Sequence, residues 1–242
     1  MNILHYGTQQ IPYQITKTKA RRRLTIKISA DLQLSAHAPL KMSDAEIHAF
    51  IVSKSAWIVR KLKEFEKHHQ VTPVMPSREY VNGETFYYLG QQYLLQIYIE
   101  ANVMPSVQLK QDTIVVTMSK NNARWVKTLI KRFYQQQAQI VLADRLQQWV
   151  NVIPWITEIP ELSFRTMKSR WGSCSHDKKI RLNYHLIKAP LECIDHVILH
   201  ELCHLKVMNH SDKFYRLLVT VEPNWKKTKK QLDKLGHLLM DD

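Results

Sequence analysis

The sequence predicts an α+β protein, and three observations predict it. Short runs with strand character recur in the first 40 residues and again between residues 86 and 118. Long stretches with helical spacing of apolar residues cover about 43–69 and 122–150, and further helices follow residue 190. Strands and helices therefore come in groups rather than in strict alternation, which is the α+β pattern. The chain divides on this reading into a basic, β-rich region over 1–120, with antiparallel strands and one long helix at 43–69, and a second domain over 121–242.

In chain order, Tyr13–Lys17 and Leu24–Ser29 alternate apolar and polar residues, and Leu32–Ala36 is a third short run. Ser43 with Glu46 three residues on is a capping box. Its helix carries Ile47, Phe50, Ile51, Trp57, Ile58, Leu62 and Phe65 on one stripe. The terminal His68 and His69 complement the helix dipole. Val71–Ser77, with Pro73 and Pro76, reads as a linker. Phe86–Leu89, Gly90 and Tyr93–Ile99 form a hairpin or bulged pair. Gln111-Asp112 makes a tight turn between Val107–Leu109 and Thr113–Met118.

The helix from Asn122 to Val150 presents Trp125, Leu129, Phe133, Ile140, Leu146 and Trp149 as a core stripe. Leu162–Arg165 is a strand, and Arg170–Ser175 pairs with Ile180–Asn183 across the turn 176–179. Helices over Ser211–Val221, capped by Ser211, and Asn224–Leu239 complete the chain. No internal repeat and no low-complexity tract is visible.

Composition bounds the function. The net charge of +14 favours polyanionic partners or substrates, including nucleic acid gripped by the basic N-terminal strands. Five of those charges fall in the seven residues Lys17–Arg23, which equally suit a solvated hairpin loop. Three cysteines form no disulfide framework and point to a reducing compartment. With no signal-peptide pattern at the N-terminus and no apolar run near the ~20 residues of a membrane span, a soluble cytoplasmic protein without membrane association is expected.

The chemistry concentrates in His200-Glu201-Leu202-Cys203-His204, followed by His210. Leu191–Leu199 lacks Gly and Pro, and Pro190 suits a first helical turn, so the motif lies on a helix. Residues four apart share a helix face, so His200 and His204 offer two imidazoles to one metal. Glu201, one step round, reaches a metal-bound water as general base. The helix is strongly apolar, so two histidines and a glutamate there are costly without a task.

Arg170-Trp171-Gly172-Ser173-Cys174, Leu182-Asn183, His200–His204 and Asn209-His210-Ser211 with Phe214 together resemble the YgjP-like family of zinc-dependent metallohydrolases. That family is zincin-like and related in pattern to the WLM and SprT-like proteases. The resemblance extends over nearly the whole chain. It implies a C-terminal zincin-like domain, a mixed sheet packed on the HExxH helix. It also implies one Zn²⁺ held by His200, His204 and His210, with water activated by Glu201. Arg170, Trp171, Ser173 and Asn183 are the expected substrate-binding residues, the Trp171–Ser175 edge strand pairing with a peptide. Metzincins carry a glycine three residues after the second histidine. Val207 stands there in this chain, so the helix is expected to run on before turning.

Other ligand sets are weaker. His196, His200 and His204 share a face, but span roughly 12 Å along the helix axis, too far for one ion. His196 is therefore a packing residue or a support to a ligand. Asp195 and Asp212 are the candidate carboxylates for orienting a ligand imidazole, although the sequence fixes no geometry for either. Cys203 is a small buried residue, and His185 lies outside the motif.

Three readings follow. The first is a zinc metallopeptidase. The second is a metal-dependent hydrolase of nucleotide phosphoanhydrides, suggested by Lys168, Arg170, Lys178, Lys179 and Arg181 around a single acid, Asp177. The third is a nucleic-acid-associated protein with a structural metal.

Overall fold

A computed structural model describes residues 2–7, 9–29, 32–71 and 78–240, without the side chains of 64–71 and 237. Residues 72–77 of the expected linker, and the side chains of Phe65, His68 and His69, lie outside the described set. The chain forms two units, Met1–Ser77 and Arg78–Asp242.

The first unit holds β1 (Asn2–Tyr6), β2 (Gln9–Thr18), β3 (Thr25–Ile28) and β4 (Leu34–Pro39), then α1 (Asp44–Ser53) and α2 (Ser55–Val71). Strand order is β1-β2-β4-β3. The outer pairs are antiparallel, but β2 and β4 run parallel, so the sheet is mixed rather than antiparallel throughout. β1 was not legible in the sequence. The single helix expected over 43–69 is two helices, broken at Lys54. The Ser43–Glu46 capping box is present in both directions. Ile47, Ile51 and Ile58 bury against Leu4, Tyr13, Leu34 and Ala36, whereas Phe50 and Trp57 of the expected stripe are exposed.

The second unit begins with β5 (Thr85–Tyr88), β6 (Gln91–Ile99), β7 (Ser106–Lys110) and β8 (Thr113–Met118). These take the order β5-β6-β8-β7, again with antiparallel outer pairs and a parallel β6–β8 pair. The connectivity of the first sheet thus recurs, although the sequence shows no repeat. By packing, this sheet goes with the C-terminal elements, since the division falls after Ser77 and not near 120.

The 30-residue α3 (Ala123–Val152), about 45 Å long, follows. Asn122 caps it by accepting the Trp125 N–H. Its buried stripe is Val126, Ile130, Phe133, Tyr134, Ala138, Leu142, Leu146 and Val150. Trp125 and Ile140, expected in the core, are 58% and 57% exposed. Apolar residues occupy two faces of this helix, and the sheet and the next helix select between them.

β9 (Leu162–Arg165), β10 (Gly172–Cys174) and β11 (Ile180–Asn183) form a mixed three-stranded sheet in the order β10-β11-β9, with β10 at an edge. A short 3₁₀ helix, Tyr184–Lys188, leads to α4 (Leu191–His204), α5 (Asp212–Val221) and α6 (Trp225–Leu239). α4 is buried almost all round, as expected of a helix apolar on every side. Arg145 of α3 grips Asp195 of α4 through two hydrogen bonds. The β5–β6 turn holds the start of α4. Leu89 and Gly90, at φ 48° and 81°, make the two-residue turn. Their N–H groups donate to Ile187 O (2.9 Å) and Lys188 O (3.1 Å). A Cβ at Gly90 would lie 2.8 Å from Pro190 Cα, so only glycine seats there.

Candidate metal centre and its cleft

α4 supplies His200 and His204, and the loop between α4 and α5 supplies His210. Their Nε2 atoms lie 3.2 Å (200–204), 3.1 Å (204–210) and 2.9 Å (200–210) apart. A tetrahedral ion with bonds of about 2.0–2.1 Å spaces its ligands about 3.3 Å apart, so this triangle fits one ion with a fourth position left over. Among the described residues no cysteine or carboxylate joins the three.

The ring orientation has identifiable causes. His204 Nδ1 donates to Val207 O at 3.0 Å, which leaves Nε2 as the bare lone pair. Neither Asp195, which is taken by Arg145, nor Asp212 plays that part; a backbone carbonyl does. The helix does not run on past His204. Leu205, Lys206 and Val207 fold into a tight terminal turn, their N–H groups donating to Leu202 O, Cys203 O and Cys203 O. That turn brings both Val207 O and His210 back to the helix. Ser211 stands at the start of α5 but makes no side-chain cap bond. Phe214, fully buried, lies beneath all three imidazoles, its centroid 4.9, 4.5 and 4.9 Å from those of His200, His204 and His210.

Burial and the neighbouring imidazoles push the His200 pKa down to about 3, and burial lowers that of His204. Both are neutral at pH 7, with lone pairs free for a cation. Glu201 is 5% exposed, and its Oε2 has no hydrogen-bond partner among the described residues. Burial lifts its pKa to about 8, against the pull of Arg170. Converging lone pairs beside an orphaned buried carboxylate are costly in a protein alone. They fit a divalent cation with water alongside.

β10 walls the site. A Cβ at Gly172 would lie 2.7 Å from Glu201 Oε1, so the glycine makes room for the carboxylate. Asn183 N–H donates to Trp171 O, and Ser175 N–H to Lys179 O. Such bonds fall on alternate residues of an antiparallel pair. Trp171, Ser173 and Ser175 therefore spend their backbone groups on β11, while Gly172 and Cys174 turn theirs to the free edge.

The four expected substrate residues separate. Trp171 lines the cleft beside Glu201, and Arg170 is exposed within electrostatic reach of it. Ser173 projects to the sheet face opposite Gly172, by strand alternation. Asn183 has no exposed surface. Its Nδ2 donates to Met167 O and Arg170 O, both at 2.8 Å, so it shapes the loop before β10 and cannot touch a substrate. The sequence placed Phe214 in the family motif without a role, and it missed the cleft residues Tyr215, Trp225 and Leu232, which carry no signal beyond helical apolar spacing. His196, not a ligand, contacts Glu222 through Nδ1 at 2.6 Å. His185 and Cys203 are buried, and among the described residues no candidate metal-binding group includes them.

Of the basic residues near β10, Arg170 alone lies within electrostatic reach of Glu201, among the described residues. Lys178 and Lys179 line a different cleft with Glu158, Glu161 and Asp177, and Lys179 pairs with Glu161 at 2.7 Å. Nothing in this arrangement favours phosphate chemistry. In the first unit the Lys17–Arg23 run passes from the end of β2 into the β2–β3 connection, with Lys17 paired to Asp44. No described helix is long and apolar enough to cross a membrane.

The fold and site define a metal-dependent hydrolase of peptidase type. The chain belongs to the YgjP-like family: the profile of the YgjP-like metallopeptidase domain matches residues 22–235. Two solved structures are similar over part of the chain. The metallopeptidase zymogen jannalysin of Methanocaldococcus jannaschii is 24% identical, with a TM-score of 0.33, covering 38% of this chain and 94% of that one. The metallopeptidase zymogen abylysin of Pyrococcus abyssi is 24% identical, with a TM-score of 0.35, covering 39% and 95%. Comparison with curated proteins gives no match.

Proposed function

We propose that this protein is a zinc-dependent metallopeptidase that cleaves an extended peptide laid along the free edge of β10. His200, His204 and His210 would hold one zinc ion through Nε2. When bound, the ion supplies Lewis acidity toward water and the scissile carbonyl. Glu201 acts as general base, taking a proton from the attacking water and passing it to the departing amine nitrogen. Its burial between α4 and Gly172 keeps bulk water from competing for that carboxylate. The backbone N–H and C=O groups of Gly172 and Cys174 would bind the peptide main chain as an added strand. The observation that carries the reading is the triangle of three Nε2 atoms beside an orphaned buried carboxylate at a free sheet edge.

Metal analysis and turnover of a casein-type substrate test it. Wild-type protein should hold one zinc, and His210→Ala should hold much less. Glu201→Gln should keep its zinc and lose roughly 10²–10⁴-fold in turnover. Full zinc in His210→Ala, or near-normal turnover in Glu201→Gln, overturns the proposal.

A further inference from the structure

From the cleft beside Glu201 we infer a side-chain pocket that selects a bulky apolar residue, aromatic or long aliphatic, next to the scissile bond. The inference rests on the peptidase reading and adds a substrate class to it. The cleft, about 430 Å³, is continuous with the centre, since His200, Glu201 and Gly172 line both. Its occupant is therefore a side chain of whatever peptide lies on β10.

The walls are Trp171, Val197, Tyr215, Trp225 and Leu232. Tyr215 and Trp225 are already stacked, with centroids 5.0 Å apart and planes 19° apart, so one wall is preformed. The charged groups are paired among themselves. Lys229 bonds Asp233 at 2.5 Å at the exposed rim, and the largely buried His196 and Glu222 bond each other at 2.6 Å. Beyond Glu201 and the ligand histidines, the lining thus offers a charged side chain no unmatched counter-charge. An entering apolar side chain removes its own surface and the aromatic wall from water, while an aspartate, or a lysine held against that wall away from Glu201, loses hydration without return.

The test uses zinc-loaded full-length protein and synthetic decapeptides that differ at one position, with cleavage sites assigned from product masses. Peptides with Phe, Trp, Leu or Met flanking the scissile bond should exceed their Ala, Lys and Asp counterparts about 10- to 200-fold in kcat/KM. Tyr215→Ala, altered at a partly exposed wall position, should cost the bulky peptide about tenfold more than the alanine peptide. Cleavage with no apolar preference, or with a preference for charged residues, overturns the pocket while leaving the peptidase reading intact. A second arm needs no turnover: zinc-loaded Glu201→Gln protein is titrated with the Phe and Lys peptides, read by tryptophan fluorescence. Tighter binding of the Phe peptide with no cleavage by wild type sinks the peptidase reading and keeps the pocket. Equal binding of the two peptides sinks the pocket.

Discussion

The sheets β1–β4 and β5–β8 share strand order and the same parallel central pair, and within its own unit the second holds the start of the metal helix. Each has a glycine of positive φ in its first hairpin turn, Gly7 at 59° and Gly90 at 81°. Around Gly7 an added Cβ would meet nothing within 4 Å; at Gly90 it would strike Pro190. One connectivity thus serves as a packing face for α1 and α2 in the first unit and as a clamp on the start of α4 in the second. Topology sets which strands are neighbours, while the function of a turn depends on what packs against it.

Substitutions can break this contrast. The largest effect is expected in the cores. Phe214→Ala should cost about 3–5 kcal/mol and weaken zinc binding, because the three rings lose their shared floor. Ile51→Ala should cost about 2–5 kcal/mol in the first unit with zinc content unchanged. Denaturant melts with zinc titration separate the two. Equal zinc loss in both would mean that the units are not independent.

Next come the turns. Gly90→Ala combines a left-handed backbone with overpacking on Pro190 and should cost about 2–5 kcal/mol. Gly7→Ala meets only the backbone term and should cost about 1–2 kcal/mol. Similar thermal shifts for the two would remove the clamp.

A smaller effect sharpens the description of the site. In metal-free protein Glu201 titrates near 8 rather than 4.5, so between those values the native state holds a proton that the unfolded chain has released. Stability should fall as pH rises there. Below about 6.5 the depressed pKa of His200 acts in the opposite sense, since the unfolded chain binds a proton that native His200 refuses. The net loss therefore emerges between about pH 6.5 and 8, by at most about 2 kcal/mol. Metal-free Glu201→Gln should lack it. A flat wild-type profile in that window would refute the buried, unpartnered carboxylate. Smallest is Ser43→Ala, which removes the capping box of α1 and should cost about 1 kcal/mol in the first unit alone.

Legibility followed the range of the interactions. Capping boxes, tight turns and the helix carrying HExxH are local, and Ser43, Gln111-Asp112 and His200–His204 could be read directly. The face of α3 could not. Trp125 and Ile140 look as buriable as Val126 and Leu142, and the choice between them was made by two partners remote in sequence. Asn183 is a similar case: a polar residue near a motif suggests a ligand contact, but its amide serves the main chain of the preceding loop.

The residues alone determined the chemistry on offer: two imidazoles one helical turn apart, a carboxylate beside them and a third histidine close behind. Tertiary structure decided that these groups converge. It ended α4 at His204, turned Val207 O onto one imidazole, set Phe214 under all three and left Gly172 room for Glu201. The physical reason is that side-chain identity supplies donor atoms, whereas the 3 Å spacing between them is set by packing among segments far apart in the chain.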